Sequence, residues 1–166
     1  MSPTAAAEAF ERAPLLAERL GSAEGAPAEV VARARALIAT LTDAEQAAVL
    51  NAHPRIGATS GLSVRSAAEQ RAAEPADPAV LAELARLNAA YETKFGFRFV
   101  VFVNGRSRAA IVPLLRERLA RSRDAELAAG LEEFLAIAND RLENDRRAND
   151  RPPTERPPRG TSSHDR

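Results

Sequence analysis

Two histidines occur in the sequence, His53 and His164, and histidine is the side chain whose ordinary pKa lets it give and take a proton near neutrality. His53 lies in Asn51-Ala-His-Pro-Arg-Ile-Gly57. Pro54 disfavours the α conformation at residue 53, so a helix arriving from the N-terminal side should end there and present the imidazole on a turn. His164 sits in a polar stretch near the end of the sequence, which leaves His53 as the candidate for acid–base chemistry. A second group follows at Ser66, Glu69 and Gln70. Spacings of three and four put a hydroxyl, a carboxylate and an amide on one helical face, a set suited to a polar substrate. The plainer alternatives are a helix-terminating loop histidine and a solvated helix face.

Composition narrows the chemistry further. The 23 Lys+Arg balance 23 Asp+Glu, so no basic field argues for nucleic acid or an anionic membrane. The absence of cysteine removes disulfides, thiolate nucleophiles and zinc–thiolate sites, and two histidines make a histidine-rich metal site a poor expectation. No stretch approaches the ~18 apolar residues of a membrane span, and the N-terminus lacks the pattern of a secretory signal. A small-molecule substrate and a cytoplasmic setting are the resulting expectations. The 166 residues suit one domain, expected over 1–147, with 148–166 a polar Pro/Arg-rich tail too poor in apolar groups to order itself.

The elements that must position these residues read as helices. Apolar residues predict one from about Thr4 to Leu20 and another over Ala28–Leu41. A third, capped at Thr42 or Asp43 with Glu45 or Gln46 completing a capping box, should end at His53-Pro54. Residues 56–62 read as a loop and 63–73 as a further helix. Asp77 caps a long helix whose stripe is Val80, Leu81, Leu84, Leu87, Tyr91 and Phe95, expected to be the central strut, and Gly96 interrupts it. Phe97-Arg-Phe-Val-Val-Phe-Val103 is extended by propensity. Without a partner strand its backbone groups need other satisfaction, from a ligand, a small hairpin, or conversion to buried helix. Ser107–Leu119 is helical with Pro113 inside it as a kink or a sign of a later start. The last helix, capped at Asp124, carries Leu127, Leu131, Phe134, Leu135, Ile137, Ala138 and Leu142 inward. The fold class is all-α, a compact single domain with a short extended apolar connector.

Four stretches in this order resemble the 2-oxo-4-hydroxy-4-carboxy-5-ureidoimidazoline (OHCU) decarboxylase family of urate degradation: Asn51-Ala-His-Pro-Arg-Ile-Gly57, Ser66-Ala-Ala-Glu-Gln70, Leu87-Asn-Ala-Ala-Tyr-Glu-Thr-Lys-Phe-Gly-Phe-Arg-Phe-Val-Val101 and Ile137-Ala-Asn-Asp-Arg-Leu142. The resemblance spans most of residues 10–145. It implies a helical carboxy-lyase that forms (S)-allantoin without a cofactor or metal. His53 then matches the catalytic histidine and Glu69 its acidic neighbour. Pro54, Ser66, Gln70, Arg141 and the backbone of Phe97, Phe99, Val100 and Val101 match positions that line the substrate pocket, and carboxylate binding suits Arg141. A homodimer is compatible with this reading. Two departures bear on pocket shape: Arg-Ala-Ala-Glu follows Gln70, and Arg98 stands where the family frequently has proline. Two other readings stand beside it, a non-catalytic helical interaction module and a decarboxylase of a related heterocyclic acid.

Overall fold

The computed structural model describes residues 9–10, 13–21, 24–58 and 77–150, and among them forms six helices and no strand. In chain order they are α1 (Pro14–Leu20), α2 (Pro27–Ile38), α3 (Asp43–Asn51), α4 (Pro78–Phe95), α5 (Arg108–Leu119) and α6 (Arg123–Asn149). The all-α expectation is met. The expected helix over 63–73, most of the 56–62 loop, and residues 151–166 lie outside the described residues.

Local chemistry sets the boundaries. Pro14 is the first residue of α1, and a proline's predecessor is steered out of the α region; Ala13 accordingly has ψ 103°, so the helix expected over about Thr4–Leu20 is broken ahead of Pro14, with Ala9 helical before the break and residues 4–8 outside the described residues. Thr42 caps α3 through a reciprocal box, its Oγ1 accepting from the Glu45 amide at 3.3 Å while Glu45 Oε2 accepts from the Thr42 amide at 2.8 Å. Asp77 caps α4 by accepting from the Ala79 amide at 2.8 Å. Gly96 ends α4 at φ 81°, a left-handed conformation that costs a glycine nothing. Pro113 stays inside an unbroken α5, on its exposed side. Ser122 rather than Asp124 caps α6, its Oγ accepting from the Ala125 amide at 3.3 Å, and Asp124 instead lies in the first turn, where a carboxylate suits the helix dipole.

The most connected strut is α6, which packs on α2, α3 and α4, while α4 pairs with α5 and α1 covers α2 and α3. The core runs continuously from Phe10 and Leu16 through Val30, Ala34, Leu50, Leu84 and Leu115 to Phe134, Leu135 and Leu142. Each large apolar side chain buried here contributes about 1.5–3 kcal/mol. Closeness matters most where α3 meets α6. A Cβ on Gly130 would come 2.9 Å from Leu50 Cδ1, so a glycine permits the approach that sets the end of α3, three residues before His53.

Residues 97–103, the run that propensity reads as extended, form neither strand nor helix. Phe97 and Phe99 turn inward onto Tyr91, ring centroids 6.0 and 5.3 Å away. Side chains take the place of a partner strand. The Arg98 amide donates to Asn51 Oδ1 at 2.9 Å, the Val100 carbonyl accepts from Arg118 Nη1 at 3.0 Å, and the Phe102 amide donates to Glu133 Oε2 at 2.7 Å. Arg106 donates to the carbonyls of Phe102 and Val103.

Candidate active site

His53 sits just beyond α3, its amide donating to the Leu50 carbonyl at 3.1 Å. The ring stands edge-on to Phe134 of α6, centroids 6.3 Å apart and planes at 81°, and Nδ1 is withdrawn from solvent. The turn carrying it is tied down at several points. Arg98 Nη1 donates to the carbonyls of Asn51 at 2.9 Å and His53 at 3.0 Å. Arg55 forms a two-pronged pair with Glu92 of α4, both contacts 2.6 Å. Asn88 Nδ2, buried in α4, donates to the Ile56 carbonyl at 3.1 Å. The Arg55 guanidinium holds the Glu92 carboxyl below its ordinary range.

Arg141 is 2 % exposed and its Nη1 donates to the Ala9 carbonyl at 3.4 Å. Seven residues separate it from Phe134, so the two share a face of α6 about two turns, or about 10 Å, apart. His53 stands against the Phe134 end of this stretch of α6 and the buried Arg141 guanidinium belongs to its other end.

Behind the extended run lies a buried polar triad absent from the sequence-based candidates. Glu126 Oε2 accepts from Tyr91 Oη at 2.6 Å and from Arg118 Nε at 2.7 Å, with Arg118 3 % and Glu126 0 % exposed. Arg118 also stacks on Phe99, 4.8 Å from its centroid. Burial, reinforced by the Glu126 hydrogen bond, pushes the Tyr91 phenol well above its ordinary value. A charge on each inward stripe was the available signal: Arg118 is in register with Ile111 and Leu115, and Glu126 with Gly130 and Phe134.

Of the sequence-derived candidates, His53 and Pro54 share one turn, and Phe97, Phe99, Val100 and Val101 lie on the extended run tied to that turn through Arg98. The side chains of these four are buried, so only their backbone groups are suited to a ligand, and the Val100 carbonyl is engaged by Arg118. Arg141 faces the core on α6. Ser66, Glu69 and Gln70 lie outside the described residues. No group of three or more His, Cys, Asp or Glu side chains among the described residues is arranged to hold a metal, and no described helix is long and apolar enough to cross a membrane.

The helical domain thus presents a histidine, a proton-transfer group, on a clamped turn against the helix that carries buried Arg141. Comparison with known proteins agrees. The family model described as OHCU decarboxylase matches residues 4–143. A 2-oxo-4-hydroxy-4-carboxy-5-ureidoimidazoline decarboxylase of Halalkalicoccus jeotgali is 31% identical over 144 residues, 84% of this chain and 81% of that one. Its counterpart in Haloferax volcanii is 30% identical over 139 residues, covering 81% and 83%. A crystal structure of OHCU decarboxylase in the presence of (S)-allantoin superposes with TM-score 0.65 at 27% identity, covering 78% of this chain and 88% of that one. The chain belongs to the OHCU decarboxylase family.

Proposed function

We propose that this protein decarboxylates 2-oxo-4-hydroxy-4-carboxy-5-ureidoimidazoline to (S)-allantoin in urate degradation. The observation that carries the reading is His53, held on its turn against Phe134 and facing the stretch of α6 that leads to buried Arg141, in a chain of this family. Loss of carbon dioxide leaves an electron pair on the ring carbon, and the adjacent C=N accepts it, so the reaction needs no electron sink from outside the substrate. The protein's part is orientation and proton movement. His53 takes the proton of the substrate hydroxyl or delivers one to the resulting intermediate from one face, which makes the product a single enantiomer. Glu69 orients His53 or hydrogen-bonds the substrate, and Arg141 pairs with its carboxylate. Ser66, Gln70, Pro54 and the backbone of Phe97, Phe99, Val100 and Val101 complete the proposed pocket. At Val100 the amide is the proposed contact, because the carbonyl already accepts from Arg118.

The test generates the ureidoimidazoline in situ by enzymatic oxidation and hydration of urate, then follows optical activity with and without the protein. Rapid appearance of optically active allantoin only with protein supports the reading, and equal racemic product in both contradicts it. A cytoplasmic setting and a homodimeric assembly accompany the proposal, checked by cell fractionation and light scattering. The domain is proposed to end near residue 147 with a polar tail beyond, although α6 continues to Asn149.

A further inference from the structure

We propose that Arg98 is a positioning residue for His53, acting through the backbone that carries the imidazole. The inference rests on the decarboxylase reading for its catalytic consequence and on geometry alone for its structural one. The end of α3 leaves carbonyls without helical partners, and Pro54 has no amide with which to continue the helix. One nitrogen of Arg98 bridges this gap, donating to the Asn51 carbonyl at 2.9 Å and the His53 carbonyl at 3.0 Å. Those carbonyls belong to the peptide groups linking 51 to 52 and 53 to 54. Their orientation, together with the His53 amide bonded to Leu50 at 3.1 Å, fixes where the Cα–Cβ bond of His53 points.

The grip is reciprocal. Asn51 Oδ1 accepts from the Arg98 amide at 2.9 Å, so the side chain of each residue holds the other's main chain. Arg98 cannot drift, because Phe97 and Phe99 on either side of it are 1 % exposed and anchored in the core. The Arg55–Glu92 pair and the Asn88–Ile56 hydrogen bond secure the far end of the turn, while Arg98 holds the backbone of the histidine itself. Asn51, Arg55, Glu92, Gly96, Phe97 and Arg98 border an open cleft of about 400 Å³, which gives a small cation access to the place the guanidinium occupies. Arg98 does not touch the reacting atoms in this account. Its removal should change turnover and leave substrate affinity alone.

The experiment compares wild type with Arg98→Ala and Arg98→Lys, all checked for folding by circular dichroism. With in situ substrate, R98A should lower kcat about 10- to 100-fold, as expected for losing charge-assisted hydrogen bonds that align a catalytic group, with KM within about twofold. R98K, which offers an ammonium without the planar fork, should fall between, and guanidinium ion added to R98A should restore part of kcat. Independently of activity, proton NMR of the imidazoles is simple because the chain has two histidines. A His164→Ala variant identifies the His53 signal, and R98A should displace or broaden it. Wild-type kcat in R98A, a raised KM with kcat intact, or a His53 signal unchanged from wild type would each overturn the proposal. If R98A does not fold, R98K carries the same comparison. If the wild type shows no stereoselective decarboxylation, the proposed function fails, and the NMR comparison still decides the positioning role.

Discussion

At the scale of single residues, the tasks proposed for His53 and Arg141 are separable, and kinetics should divide them. His53→Gln should lower kcat about 10²- to 10⁴-fold, the span that a positioned proton-transfer group supplies, with little effect on folding because the residue is only partly buried. Arg141→Lys keeps the charge and loses the two-pronged geometry. It should raise KM about tenfold more than it lowers kcat, as steady-state measurements across substrate concentration would show. Pro54 made the placement of His53 on a turn legible, since its effect is local. The clasp between Asn51 and Arg98 was not legible, because it joins residues 47 apart and no local periodicity reports such a contact. Ser66, Glu69 and Gln70 were grouped by their helical spacing and assigned to the pocket by the family resemblance, so their substitution tests the proposed pocket independently. Glu69→Gln should cost turnover of the same order as a misoriented base.

Among the elements, the junction of α3 with α6 and the support behind residues 97–103 decide how rigid the site is. Gly130→Ala places a methyl 2.9 Å from Leu50 Cδ1, and overpacking of this kind costs about 1–3 kcal/mol. The melting temperature should fall, and turnover with it, since Leu50 leads directly into the His53 turn. Arg118→Met should destabilise more, by about 3 kcal/mol, because it removes the nearer of the two guanidiniums paired with the buried Glu126 carboxylate and leaves the Val100 carbonyl without the guanidinium it accepts from. Chemical denaturation with a constant m-value checks both. The helices were legible because apolar spacing and capping residues act within a few positions, as at Asp77 and Thr42. The extended run was legible by its β-branched and aromatic residues, but its partners were not. They come from Arg118 and Glu133, 18 and 31 residues away, and only the assembled fold brings them to it. The break ahead of α1 was missed because Phe10 and Leu16 continue one apolar pattern across the point where Pro14 turns Ala13 out of the helix.

For the molecule as a whole, paired carboxyls and one buried phenol make stability depend on pH at both ends of the range. Arg86 and Arg116 hold Glu83 down to about 2, and Glu92, Glu132 and Asp43 are held below their ordinary values by Arg55, Arg35 and Arg123. Depressed carboxyls stabilise the fold fully above the unfolded carboxylate range, and that contribution is lost as pH falls through the folded values. Most are exposed and individually small, so the melting temperature should stay level from about pH 7 to 5 and decline gradually between about 4.5 and 2. Tyr91 acts in the opposite direction: its raised phenol keeps its contribution below about pH 10, where an unfolded tyrosine begins to ionise, and loses it as pH rises further. Thermal melts by circular dichroism across both limbs test this, and a melting temperature indifferent to acid would contradict it. His53 is proposed to direct protons during decarboxylation of the ureidoimidazoline. The most direct measurement is the optical activity of allantoin formed from freshly generated substrate by wild type and by folded His53→Gln at equal concentration. Wild type should give a rapid single-enantiomer signal and the variant near-racemic, near-spontaneous product; the same stereoselective rate from both would remove His53 from the mechanism.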